Sequence, residues 1–158
     1  MDNIEKELEA GRAVILPTET VYGIFAKALD QEAVDYIYEL KRRPRDKALN
    51  LNVADEKTIR IYSKNQPSYL TKLIHSFLPG PLTIILQANE KVPNWIHSGL
   101  DTVGFRIPAH PKTLELIRKY GPLVGPSANL SGHASGTKYR AIVSEFDQVV
   151  PGIEDDDF

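Results

Sequence analysis

The stretch "DQEAVDYIYELKRRPRDKALNLNV" (residues 30–53) contains a helix, a stop and a strand in immediate succession. Asp30 is an N-cap candidate, because its short side chain can accept hydrogen bonds from the free amides of a first helical turn. Behind it, Ala33, Val34, Ile37 and Leu40 recur at helical spacing and form one apolar stripe. A helix is therefore expected from Asp30 to about Arg42. Pro44 ends it, since the residue before a proline is pushed out of the helical region. "ALNLNV" (48–53) then alternates apolar and polar, which predicts a strand with one face buried. Lys41, Arg42, Arg43, Arg45 and Lys47 crowd the junction between the two elements. Cations near a helix C-terminus meet the negative end of its dipole, at ~0.3–1 kcal/mol each when exposed. That account suffices for Arg42 and Arg45. Lys41 and Arg43 are separated by one residue and held by Pro44, so both are expected to project to one side.

The alternation continues outward in both directions. Upstream, residues 3–10 form a short helix with Ile4 and Leu8 on one face. Gly11 stops it, and Ala13–Leu16 is a buried strand closed by Pro17. Downstream come helical patches near 55–62 and 67–78, then a strand over 82–88 that reads as central. "DTVGFRIP" (101–108) is another strand, and "HPKTLELIRKYG" (110–121) a helix with Pro111 at its start and Gly121 at its stop. "PLVGPSAN" (122–129) is a short strand running into a polar loop. Residues 137–146 read as a helix and "QVV" (148–150) as a last strand. Such a sequence predicts one α/β domain over residues 1–158, with helices flanking a twisted open sheet, mixed or largely parallel. Ligands of such sheets sit in loops at the strand ends. Three polar loops qualify here: "PTETVYG" (17–23), the basic turn at 41–47, and "GPSANLSG" (125–132).

Composition narrows the function. A chain of 158 residues, 42% hydrophobic, can build one ordinary core. With no cysteine, disulfides and thiolate metal sites are excluded. The acidic, amphipathic start is unlike a signal peptide, and apolar runs such as "LTIIL" are too short for a membrane span, so a cytoplasmic protein is expected. A formal charge of -2 argues against a broad nucleic-acid-coating face but allows one local basic pocket. His75, His97, His110 and His133 are scattered without metal-site spacing, so no metal ligands are expected. "GHASGTK" fails the phosphate-loop pattern, and no G-x-G-x-x-G opens a helix. Ser135 and Lys138 form S-x-x-K, a common coincidence that here lacks the K-T-G a lactamase-like enzyme needs.

The polar loops each admit two readings. Thr18, Thr20 and Tyr22 either bond their own turn or, on an extended chain, form a wall of hydroxyls on one side. Ser127 and Asn129 are either a turn or a clamp for phosphate and ribose oxygens. Arg106 lies in the otherwise apolar "GFRIP", as an outward arginine or as an anchor for a carboxylate or phosphate.

Taken in order, "PTETVYG", K-x-R-P (41–44), "GPLT" (80–83), "GFRIPAHP" (104–111) and "GPSANLSG" resemble the YrdC-like threonylcarbamoyl-AMP synthases, from about residue 10 to residue 152. The pairing of K-x-R with S-x-N is the specific part. The resemblance implies an open α/β sheet with a concave, positively charged face. It implies synthesis of threonylcarbamoyl-AMP and pyrophosphate from L-threonine, bicarbonate and ATP, with magnesium on the phosphates. A separate protein complex then transfers the threonylcarbamoyl group to adenosine 37 of tRNA. By matched motif, Lys41 and Arg43 are the catalytic pair. Lys41, Arg43, Lys47, Ser127 and Asn129 face ATP, while Thr18, Asn52 and Arg106 face threonine. Glu19 is a candidate base by position. Two departures stand out. Asn52 occupies a position where many members carry histidine, and the chain resembles a short form without the usual C-terminal segment, which implies a more open nucleotide pocket and weaker ATP binding. The alternative is a catalytically weak or inactive module of the same fold that binds RNA or nucleotide.

Overall fold

The computed structural model describes residues 2–129, 137–146 and 150–156. Its elements are α1 (Asp2–Glu9), β1 (Val14–Leu16), β2 (Gly23–Lys27), α2 (Gln31–Lys41), β3 (Leu51–Asn52), α3 (Glu56–Ile61) and β4 (Ser63–Lys64). Then follow α4 (Leu70–Phe77), β5 (Ile84–Ala88), α5 (Asn94–His97), β6 (Thr102–Arg106), α6 (Pro111–Tyr120), β7 (Leu123–Val124) and α7 (Tyr139–Glu145). The strands form one sheet in the order β1-β2-β7-β3-β6-β5-β4. The α/β expectation holds in its mixed form. β3 and β6 pair parallel, and the other named pairs are antiparallel.

α2 begins as the opening stretch predicts. The Asp30 carboxylate accepts from the amides of Glu32 (3.1 Å) and Ala33 (3.3 Å). At the other end Arg42 turns left-handed, with φ 52°. The Arg42 amide then donates to the Glu39 carbonyl and the Arg43 amide to that of Tyr38, which satisfies two free carbonyls of the last turn. This turn redirects the chain between Lys41 and Arg43.

Register decides which face each side chain joins. Ile15, Ile24, Ala26, Val124, Leu51, Phe105 and Ile84 lie in a large core shared with Val34 and Ile37 of α2 and Leu70 and Ile74 of α4. Val14, Leu16, Phe25 and Leu123 turn the other way and pack on Ile4 and Leu8 of α1 and on Leu116 and Ile117 of α6. Those two helices cover only the β1-β2-β7 half of that face. Beyond it, the same face carries Asn52 opposite Arg106, and Gly104 opposite Ile85. Ile85 is 68% exposed. The half-covered sheet leaves an open polar strip, and the site lies on it.

Four expectations change. The strand at 82–88 is not central. β5 lies next to the sheet edge and alternates buried and exposed residues, because only one of its faces meets helices. "ALNLNV" shrinks to Leu51–Asn52, and Asn52 is buried because β3 is flanked by β6 and β7. β2, β4 and α5 were not expected. β2 is a continuous buried run with no alternation to announce it. Of the last strand at 148–150, residues 148 and 149 lie outside the described residues. Residues 151–153 instead run beside β1, with the Ile15 amide donating to the Pro151 carbonyl (2.8 Å) and the Ile153 amide to that of Ile15 (3.0 Å). Among the described residues, no helix is long and apolar enough to cross a membrane.

Candidate functional site

Two of the polar loops meet because β2 and β7 pair. Their antiparallel ladder continues past the strand ends, with the Ile24 amide on the Pro126 carbonyl and the Ala128 amide on the Tyr22 carbonyl, both at 2.8 Å. Loop 17–22 therefore lies against the turn at 125–129. Glycine is required at the base of that turn, since a Cβ on Gly125 would come within 2.3 Å of the Phe25 ring.

Beside this junction is a cleft of about 210 Å³. Its polar walls are Arg43, Asn50, Asn52, Thr83, Arg106 and Ser127. They come from the turn after α2, from β3 and the residues before it, from the approach to β5, from β6 and from the turn after β7. Gly104 of β6 lies against two of these walls: a Cβ there would stand 2.3 Å from Asn50 Oδ1 and 2.9 Å from Thr83 Cγ2.

Two guanidinium groups face the cleft. Arg43 Nη2 donates to the Ala48 carbonyl at 2.9 Å. Its Nε is buried and has no partner among the described residues. A buried donor in that state costs about 1–3 kcal/mol. Arg106 Nη2 donates to Glu19 Oε1 (2.6 Å) and Thr20 Oγ1 (3.2 Å), and Nε to the Gly80 carbonyl (3.3 Å). The other Glu19 oxygen accepts from the Ala109 amide at 3.0 Å. Burial pushes the Glu19 carboxyl up, but the Arg106 and backbone hydrogen bonds outweigh it and its pKa is lowered overall. Glu19 is thus an ionised partner of Arg106 with both oxygens engaged, a poor arrangement for a general base.

Lys41 stands behind the cleft rather than in its lining. It is 2% exposed. Nζ donates to the carbonyls of Ser127 (2.5 Å) and Asn129 (2.6 Å). Burial, and then the charge of Arg43, lower its pKa to about 8, against an opposing pull from Glu145. On the front of the same turn Ser127 Oγ donates to Asn129 Oδ1 at 2.6 Å. Asn52 Nδ2 donates to the Leu123 carbonyl at 3.3 Å, which ties the buried amide to β7.

Of the residues singled out in the sequence, the structure brings Arg43, Asn52, Arg106 and Ser127 to one cleft, with Lys41 and Asn129 supporting Ser127. Lys47 is exposed and outside the lining; its carbonyl accepts from Tyr38 Oη at 2.5 Å. Arg45 pairs with Asp35 at 2.5 Å and caps the Tyr38 ring. Thr18 is buried and bonded within its own turn, donating to the Val21 carbonyl at 2.6 Å. The wall of three hydroxyls does not form. Residues 18–21 turn rather than extend, and Tyr22 is wholly buried, so Thr20 alone reaches Arg106. Leu130–Gly132, Ser135 of the S-x-x-K pattern and His133 lie outside the described residues. Sequence reasoning did not place Asn50 and Thr83. The period-two spacing of Asn50 from Asn52 was the signal that could have found the first.

Similarity to known proteins follows these elements. The sequence model of the Sua5/YciO/YrdC family, described as "Telomere recombination", matches residues 6–157. The threonylcarbamoyl-AMP synthase of Pyrococcus abyssi is 42% identical over 140 residues, which is 88% of this chain and 41% of that protein. The Bacillus subtilis threonylcarbamoyl-AMP synthase is 40% identical over 150 residues, 94% of this chain and 43% of that protein. The chain thus spans less than half the length of either relative. The crystal structure of P. abyssi Sua5 complexed with L-threonine matches with a TM-score of 0.88 at 40% identity, over 94% of this chain and 44% of that one. Escherichia coli YciO, at 23% identity and a TM-score of 0.82, shares the fold. A match whose span takes in the 17–22 loop, the basic turn, β6 and the 125–129 turn leaves one assignment: the chain belongs to the Sua5/YciO/YrdC family.

Proposed function

We propose that the chain is a threonylcarbamoyl-AMP synthase, a nucleotidyltransferase that joins L-threonine, bicarbonate and ATP and releases pyrophosphate. The observation that carries this reading is the convergence of Arg43 and Arg106 on a cleft whose lining, among the described residues, includes no carboxylate. Such a cleft suits an anion. Its volume of about 210 Å³ lies below the ~300–1,000 Å³ of whole small-molecule sites. An amino acid with its new carbamate fits that space, and the nucleotide would extend onto the open strip of the sheet.

In this reading Arg106, aimed by Glu19 and Thr20, holds the threonine carboxylate, and Asn52 lines the same end. Threonine's amine attacks the carbon of bicarbonate, and water leaves as the carbamate forms. A carbamate oxygen then attacks the α-phosphorus of ATP, and pyrophosphate departs with the bonding electrons. Charge builds on the phosphoryl oxygens, so the chain contributes chiefly by positioning and by fixed dipoles. Arg43 and Ser127 stand at that end, and Lys41 stiffens the Ser127–Asn129 turn from behind. Among the described residues no group of three His, Cys, Asp or Glu side chains is placed to hold a metal ion. In this reading magnesium enters on the phosphates of ATP. The product's partners would be cytoplasmic proteins that pass the threonylcarbamoyl group to adenosine 37 of tRNA.

The test is incubation with L-threonine, bicarbonate, magnesium and ATP. Pyrophosphate and threonylcarbamoyl-AMP are expected in equal amounts, and only when all three substrates are present. Folded protein that releases no pyrophosphate above the threonine-free control, or that fails to bind ATP at millimolar concentration, would overturn the proposal.

A further inference from the structure

The sequence ends in a run of acids, "EDDDF", whose bland reading is solvated charge. The structure ties two of these acids to Tyr22, Tyr139 and His110, outside the lining of the cleft. Asp156 Oδ1 accepts from Tyr22 Oη at 2.6 Å and from the Tyr139 amide at 3.0 Å. Tyr22 Oη in turn accepts from the Asp155 amide at 2.7 Å. The Asp155 carboxylate meets His110 Nε2 at 2.9 Å. Tyr22 is wholly buried, its ring 5.8 Å from that of Tyr139.

These contacts reach Arg106 by two routes. Along the first, Tyr22 anchors loop 17–22, and its carbonyl takes the Ala128 amide of the Ser127 turn. That loop presents Glu19 and Thr20 to Arg106. Along the second, Asp155 braces His110, the cap of α6, next to Ala109, whose amide holds the other Glu19 oxygen. Glu19 is thus gripped from two sides, and the acidic segment braces both.

We propose that Tyr22, Asp155 and Asp156 are positioning residues that set the Glu19–Arg106 pair, and through it the threonine end of the cleft. The inference rests on the function proposed above for what Arg106 binds, but not for the brace itself. Burial, and then Asp156, raise the pKa of the Tyr22 hydroxyl, so it remains a donor across the neutral range. The Tyr22 hydrogen bond, and then the Tyr139 amide, hold the Asp156 carboxyl below its usual range, so it remains an acceptor.

Tyr22→Phe removes the hydroxyl and keeps the buried ring; Asp156→Asn keeps an acceptor and removes the charge; Asp156→Ala removes both. The first readout needs no ligand: amide exchange at Thr20, Val21 and Ala128, together with the Arg106 Nε–H resonance. Tyr22→Phe and Asp156→Ala should speed exchange at those amides and shift the Arg106 signal, and Asp156→Asn should restore part of both. The second readout is affinity. Threonine Kd should rise about tenfold in Tyr22→Phe and Asp156→Ala and less in Asp156→Asn, while ATP Kd changes less than about twofold. Unchanged exchange and an unchanged Arg106 signal in both disruptive variants would overturn the brace. So would altered exchange with unchanged threonine affinity, since the contacts would then be structural only. If the unaltered chain binds no threonine, the proposed function fails, and the Arg106 resonance alone decides the brace.

Discussion

Arg106 shows how much chemistry one residue's neighbours decide. Its fork serves three acceptors from two segments: Glu19 and Thr20 of the 17–22 loop and the Gly80 carbonyl. A lysine keeps the charge but not the planar fork. Arg106→Lys should therefore raise the threonine Kd by at least about tenfold, ~1.4 kcal/mol, while leaving ATP binding nearly unchanged by calorimetry. Equal losses for both ligands would place Arg106 at the nucleotide instead. Lys41 carries the second prediction at this scale. Its folded pKa is lowered to about 8, chiefly by burial, while the unfolded chain holds its proton to the ordinary lysine value of 10.5. Between those values the unfolded state binds more protons, so this group's contribution to stability improves as pH rises through the window and is flat below it. The Lys41 Cε carbon resonance should titrate near pH 8, against ~10.4 for a lysine in a model peptide. A midpoint near 10 would show that burial does not set its charge. Neither behaviour was legible in the sequence. K-x-R spacing marked both basic residues, but the left-handed turn at Arg42 sends one behind the 125–129 turn and the other into the cleft.

At the scale of elements, the site depends on strands that lack side chains where others approach. Gly104 of β6 lies under Asn50 and Thr83, with no room for a methyl group. Gly104→Ala should force those two walls apart at a cost of about 1–3 kcal/mol, as overpacking does. The expected readout is a lower urea midpoint with unchanged slope, accompanied by weaker threonine binding. Full stability with full binding would show that the cleft walls yield freely. Helix α2 was legible almost to the residue because its signals are local: an Asp cap, an apolar stripe and a proline beyond the end. β2 was not, because a short strand buried on both faces shows no alternation, and its neighbours β1 and β7 are supplied by distant parts of the chain.

At the scale of the whole molecule, partial covering of one sheet face creates the site. α1 and α6 shield β1, β2 and β7, and the uncovered part around β3, β6 and β5 holds the polar groups. The same geometry bears on the alternative of an RNA-docking module. Docking through many phosphates makes affinity fall steeply with salt. With a formal charge of -2 and two arginines at the cleft, tRNA binding should be weak, with a log–log salt slope no steeper than about −2. A slope near about −5 or steeper would favour the RNA reading. Sequence alone determined the α/β class, most of the helices, the family likeness and four residues of the cleft, since periodicity, caps and motif order are properties of neighbouring residues. Only the tertiary structure decided that Lys41 braces a turn, that Thr18 bonds its own loop, and that the acids at 155–156 grip Tyr22 and His110. Those outcomes depend on pairing between segments up to 134 residues apart, and on burial, which exists only once both sides of a contact have arrived.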